Sequence, residues 1–220
     1  MGPAILAQLL ETLRRASLRP IPDALQEARY PGFYQIFLDG DPKYVGKTSR
    51  SIRVRLREHV SKLRGRIDLE RVAAKFAFVE DPSLVDISEN ALIDFFGEHG
   101  LAEWNATGFG SKVTGYGRGK QVASEWAKQY PADLDWPIEA GSPVPILLDD
   151  LARQIGSAAP ITFSLPTSQR TEFKKDHAEP IEVPESEKGF QDWVKVVRQF
   201  LAPGWKVEIQ PLGWYIVKDD

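Results

Sequence analysis

The chain has 220 residues, 42% of them hydrophobic, with 28 Lys and Arg against 31 Asp and Glu for a formal net charge of −3, so it can bury a core and one domain plus an appendage is expected. The absence of cysteine excludes a disulfide framework and a thiolate zinc site, and the three histidines, His59, His99 and His177, form no cluster for a histidine-based metal site. No apolar run is long enough to span a membrane and the N-terminal segment lacks the form of a signal peptide, so a cytoplasmic protein is expected. Residues 1–29 read as an N-terminal helical extension. Its apolar positions are interrupted by Gln8 and Glu11 and followed by Arg14-Arg15, which suits an amphipathic helix, and Pro20 and Pro22 end it.

After Pro31, the residues Phe33, Tyr34, Ile36 and Phe37 favour a strand over 32–37, entered through Gly32 and broken in character only by Gln35. Leu38-Asp39-Gly40-Asp41-Pro42 is turn chemistry, with Asp-Gly the strongest short hairpin signal, and Lys43-Tyr44-Val45 begins the return strand. Gly46 is expected to stop that strand where the backbone bends or approaches something closely. A helix follows from Ser49 or Ser51, with Ile52, Leu56, Val60 and Leu63 at helical spacing for one buried stripe. Arg55 and His59 are i and i+4 on it, one above the other beside that stripe, and can serve one site; Arg-x-x-x-His on a basic helix also fits a solvated face.

Over 43–66 there are three lysines and six arginines against one acid, Glu58, a net charge of +8, so the remainder of the chain carries −11. This basic wall, with Lys47, Arg50, Arg53 and Arg57 on it, is the footprint of a polyanion whose phosphates would make binding salt-dependent; Lys47 fits an ordinary exposed lysine equally well. A second helix is expected over 86–98, with Leu92, Ile93, Phe95 and Phe96 as its apolar content. Glu89 falls at the edge of its core-facing side, where a carboxylate calls for a metal or a basic partner, and Asp86-x-x-Glu89 also fits a helix-start box.

The stretch 112–128 is again basic, carrying Lys112, Arg118, Lys120 and Lys128 after and among glycine turns at Gly108, Gly110, Gly115, Gly117 and Gly119. Such glycines let backbone amides approach phosphates or base edges, and Asn105, Arg118, Lys120 and Gln121 can read bases, unless the segment is an ordinary loop. Pro137, Gly141, Pro143 and Pro145 make a joint. Beyond it the pattern predicts a helix over 146–155, a strand over 161–165, an acidic proline-bounded loop over 176–187, a helix over 189–201, and a hairpin of 206–209 with 214–218. The acidity of this part argues against a primary role on DNA. Trp193, Trp205, Trp214 and Tyr215 read as its own core, with a dimer or partner surface as the alternative.

The ordered series Gly32-Phe33-Tyr34, Tyr44-Val45-Gly46, Arg55, His59, Glu89 and Trp104-Asn105 resembles the GIY-YIG nucleases, Phe33 and Val45 standing at apolar strand positions where the family name has Ile. The continuation through Gly108-Phe109-Gly110, Gly115-Tyr116-Gly117-Arg118, Ser124-Glu125-Trp126 and Tyr130-Pro131 is similar to one branch, the small Type II restriction endonucleases represented by isoschizomers of SacII. The likeness covers roughly 30–137 and nothing beyond it. The resemblance implies an α+β fold, a small GIY-YIG-like antiparallel sheet flanked by helices, and the pattern of elements beyond the joint adds a small α/β appendage over 146–220. The implied activity is hydrolysis of phosphodiester bonds at a short palindromic site in double-stranded DNA, dependent on Mg²⁺, with Mn²⁺ able to substitute.

By the same resemblance Tyr34 and His59 deprotonate or orient the attacking water, which of them takes the proton being left open. Tyr44 orders the site, Arg55 stabilises the charged phosphate through its fork of donors, and Glu89 holds one Mg²⁺. Asn105 hydrogen-bonds the phosphate or a site residue. The two-fold symmetry of a palindrome implies a homodimer, and a restriction role implies a DNA methyltransferase as functional counterpart. The alternatives are a broader or modification-dependent DNA nuclease in phage defence, a non-cleaving DNA-binding module, and an unrelated small α/β interaction protein.

Overall fold

Every residue of Gly32–Leu38 (β2) is buried, because this apolar run lies inside a four-stranded sheet with a partner on each side. Asp41–Thr48 (β3) returns along one edge of it and Val72–Phe78 (β4) along the other, both antiparallel. Asp39 and Gly40 join β2 to β3 with φ of 53° and 86°, the left-handed pair that an Asp-Gly turn supplies, and Leu38 faces Asp41 across it. The register shifts between Ile36 and Phe37, where Pro42 has no N–H to give to the ladder.

The computed structural model describes residues 3–79, 100, 102–107, 109, 123–211 and 213–219. The chain forms two units, Met1–Ser111 with Ser124–Trp126, and Lys112–Ala123 with Ala127–Asp220. The expected helix over 86–98 with Glu89, and the glycine-rich stretch with Lys112, Arg118, Lys120 and Gln121, lie outside the described residues. Among the described residues no helix is long and apolar enough to cross a membrane.

The first unit opens with an α-helix, Pro3–Arg15 (α1), after which the N-terminal segment enters the sheet. Arg19–Pro20 (β1) pairs with β4 and completes the sheet order β1-β4-β2-β3, and Ile21–Glu27 (α2) follows at once. Pro20 therefore lies on an edge strand, and Pro22 sits in the first turn of α2, where the missing N–H would have had no partner anyway. Ile52–Leu63 (α3) buries Ile52, Leu56, His59 and Leu63. Its start is tied down by backbone bonds from Ile52 N–H to Tyr30 O at 3.0 Å and from Arg53 N–H to Ala28 O at 2.7 Å, while Ser51 Oγ donates to Ala28 O at 3.1 Å rather than capping the helix. Short helices Glu103–Thr107 (α4) and Glu125–Gln129 (α5) complete what is described before the second unit, the unit boundary falling within α5.

The second unit contains Pro137–Ala140 (β5), Leu148–Ala158 (α6), Thr162–Ser164 (β6), Arg170–Asp176 (α7), Ser186–Gly189 (β7), Phe190–Gln199 (α8), Trp205–Gln210 (β8) and Gly213–Lys218 (β9). Where a joint was expected, Pro137 starts a strand paired with β7. β6 runs parallel to β9, which pairs antiparallel with β8. The expected helices, strand and hairpin are present within a few residues; the acidic loop is shorter, because its C-terminal end is drawn into β7. Trp193, Trp205, Trp214 and Tyr215 are all buried, and the Trp193 indole donates to Ile138 O at 2.8 Å; the three tryptophans belong to this unit's own core, while Tyr215 lies on the other face of β9. The fold is α+β, with predominantly antiparallel sheets and helices packed on them.

Candidate active site

Cross-strand register brings the two tyrosines together. Tyr34 faces Gly46 and Ile36 faces Tyr44, so Tyr34, Tyr44 and Gly46 share one face of the β2–β3 ladder. A Cβ at Gly46 would lie 2.5 Å from the Tyr34 Cζ and hydroxyl and 2.7 Å from Tyr44 Cε1. β3 runs on through Gly46 to Thr48, so this glycine does not stop the strand; it is required because Tyr34 crosses directly above its Cα.

α3 brings His59 to the same place. The Tyr34 hydroxyl and His59 Nε2 are hydrogen-bonded at 2.8 Å, and the His59 ring meets Tyr44 edge-on with centroids 4.8 Å apart. Phe109 stacks on the other side of His59 at 4.9 Å and 25°, touches Tyr44 edge-on at 5.3 Å, and is backed by Trp104 and Trp126 at 4.8 and 4.9 Å. Phe109 was not among the expected site residues; its Gly108-Phe109-Gly110 context was the only signal in the sequence.

Tyr34 and His59 are both buried, His59 in the apolar stripe of α3 rather than beside it. Burial first, and then the Tyr44 phenol, push the Tyr34 phenol well above its ordinary range, against the pull of the Arg55 guanidinium. Burial, with smaller contributions from Lys62 and Arg55, lowers His59 to about 3. At neutral pH the bond therefore joins a protonated phenol to a neutral imidazole. Either tautomer leaves Nδ1 without a partner among the described residues.

Arg55 is about one-third exposed and pairs with Glu58 one helical turn on, while Arg50 approaches the same carboxylate at 3.8 Å. Asn105 goes to the backbone: its Oδ1 accepts from Val45 N–H at 2.9 Å and its Nδ2 donates to Val45 O at 2.8 Å. Both ends of the amide thus act as an added rung on edge strand β3, so Asn105 serves the Val45 backbone, a role different from the phosphate or site-residue bond expected of it. Lys43 and Glu103, paired at 3.0 Å, fix α4 to the same strand.

Of the expected DNA-binding residues, Arg50 and Arg57 are exposed and Lys47 is half-buried. Arg53 is engaged elsewhere, donating to Gln26 O at the end of α2, because the α3 start must be joined to that turn. No group of three His, Cys, Asp or Glu suited to a metal occurs among the described residues. The carboxylates of Glu58 and Glu103 are ion-paired, so the residues described here do not by themselves fit a divalent cation. No protein-family model matches the chain, and neither does any curated protein.

Proposed function

We propose that this protein is a metal-dependent DNA endonuclease, and more narrowly a site-specific one of the Type II restriction kind that cuts a short palindrome. What carries this reading is the convergence of Tyr34, Tyr44, Arg55 and His59, with the 2.8 Å Tyr34–His59 hydrogen bond joining a strand to a helix whose exposed side is basic. Phosphodiester hydrolysis needs an attacking water, an acceptor for its proton, and stabilisation of charge on the phosphoryl oxygens. Arg55, about one-third exposed, meets the phosphate with its fork of donors in exchange for Glu58. Arg55 also interacts with the Tyr34 hydroxyl, so that exchange draws it away and leaves the hydroxyl to face the water. The negative charge of the entering phosphate offsets the burial that keeps His59 neutral, so Tyr34 takes the water's proton as it passes its own to His59 Nε2, a transfer for which a neutral imidazole with its proton on Nδ1 is the competent form. Mg²⁺ on Glu89, or Mn²⁺ in its stead, would supply further charge neutralisation at the phosphate.

A homodimer is the simplest way to bring one such site to each strand of a palindrome, and a methyltransferase protecting host sites would accompany it. The complete burial of Tyr34 favours a second reading, a DNA-binding module that does not cut. Purified wild-type and Glu89→Ala protein, incubated with plasmid and phage DNA in Mg²⁺ or EDTA, decide between them. Discrete fragments from wild type, lost with EDTA or Glu89→Ala, are the expected result. A smear indicates a nuclease of broad specificity, and salt-sensitive binding with no cleavage of any DNA indicates the binding module.

A further inference from the structure

The face of the sheet that carries Tyr34 continues, on the side away from β3, into a row of aromatics. Phe76 is the cross-strand partner of Tyr34 on β4, Phe78 is the partner of Gly32, and Tyr30 precedes β2 with the same alternation. The Phe76 and Phe78 centroids are 5.3 Å apart, and Tyr30 meets Phe78 edge-on, also at 5.3 Å and at 83°. Gly32 adds no side chain to that row. Tyr30 is 61% and Phe78 45% exposed, and they are the only aromatics counted as exposed among the described residues. An isolated exposed apolar residue needs no explanation, but a preformed pair of exposed rings beside a candidate site does.

The pair lies beside the start of a basic helix. The Tyr30 carbonyl accepts from Ile52 N–H, which fixes the tyrosine at the start of α3. Arg50 precedes that start and Arg57 follows on the helix, both exposed, in the segment whose net charge is +8. A purely apolar partner would gain nothing from this charge, and a purely anionic one nothing from the rings. A nucleotide strand has both a stacking face and a phosphate at every unit.

We infer that Tyr30 and Phe78 form a stacking surface for an unpaired nucleobase of a DNA strand whose phosphates lie along the basic start of α3. This rests on the proposed action on DNA. It adds that the strand is locally unstacked next to the site, since Phe76 connects the exposed pair to Tyr34, and bases held in a duplex stack would not offer a face to these rings.

The test is binding of a fluorescent oligothymidylate by the full chain in EDTA, over a range of salt concentrations. Replacing both rings, Tyr30→Ser with Phe78→Ser, should weaken binding about five- to hundredfold. The loss should be equal at every salt concentration, because stacking releases no counterions. Tyr30→Phe with Phe78→Tyr should keep wild-type affinity. Both side chains are exposed, and an unchanged circular dichroism spectrum and melting point verify the fold. Wild-type affinity in the serine double variant overturns the inference while leaving the nuclease reading intact. A change of oligomeric state in that variant, with DNA binding retained, also overturns it and assigns the rings to contact between copies. Failure of the wild-type protein to bind any DNA overturns both.

Discussion

Gly46 is the position at which the candidate site tolerates least. A methyl group there would sit 2.5 Å from the Tyr34 ring, so Gly46→Ala must displace Tyr34 or bend β3. We expect a loss of about 1–3 kcal/mol of stability, as overpacking of a close-packed core costs, and loss of DNA cleavage; unchanged urea unfolding with full cleavage would refute this. Asn105→Ala leaves both Val45 backbone groups without the amide and should cost about 1–3 kcal/mol, measurable by the same unfolding experiment. His59 gives a pH prediction with a definite sign. Its folded value, about 3, lies below the ordinary 6.5, so the unfolded chain takes up the proton first. Stability contributed by the neutral ring is complete above about pH 6.5 and is lost as pH falls toward 3, by at most about 1.4 kcal/mol per pH unit. His59→Gln should flatten that part of the pH dependence, and parallel profiles of the two proteins between neutral pH and pH 4 would exclude the assignment.

α3 divides its work by face. The buried stripe carries His59, the turn toward α2 engages Arg53, and the outer side leaves Arg57 exposed with no ion pair among the described residues. Arg57→Ala should therefore weaken DNA binding evenly across sequences and lower the slope of log affinity against log salt by about one, without altering thermal stability. Glu58 holds Arg55 where a phosphate would take it, so Glu58→Gln should strengthen DNA binding and steepen its salt dependence; weaker binding would show that the carboxylate positions Arg55 instead. β4 explains why one central element escaped the sequence: three of its seven residues are alanine, a poor strand former, and its place in the sheet comes from pairing with β2. The short β1 and β7 were hidden for the same reason, since each is a strand only by virtue of its partner.

Across the whole molecule, the second unit has a core drawn entirely from residues after 127, built on α6, α8 and the β8–β9 hairpin. A fragment spanning 127–220 is accordingly expected to fold, giving a cooperative melt and a structured near-ultraviolet signal from its tryptophans; Trp193→Ala should reduce its stability by about 3–5 kcal/mol. A fragment that stays unfolded would mean that this core is insufficient alone. The acidic balance of the second unit, against the basic segment of the first, was evident in the sequence because charge adds along a chain whatever its fold.

The amino-acid order alone specified the Asp39-Gly40 hairpin with its two tyrosines, the helical pairing of Arg55 with His59 and the tryptophan core of the second unit, because these follow from turn chemistry, period and spacing within short stretches; that the tyrosines meet Arg55 and His59 was expected only from the resemblance. It could not specify that Tyr34 and His59 lose their solvent, that Asn105 serves the backbone of Val45, that Arg55 rests on Glu58, or that Tyr30 and Phe78 stay uncovered. Those depend on which distant strands pair and what is thereby removed from water, and desolvation is a property of the assembled sheet and helix that no local pattern contains.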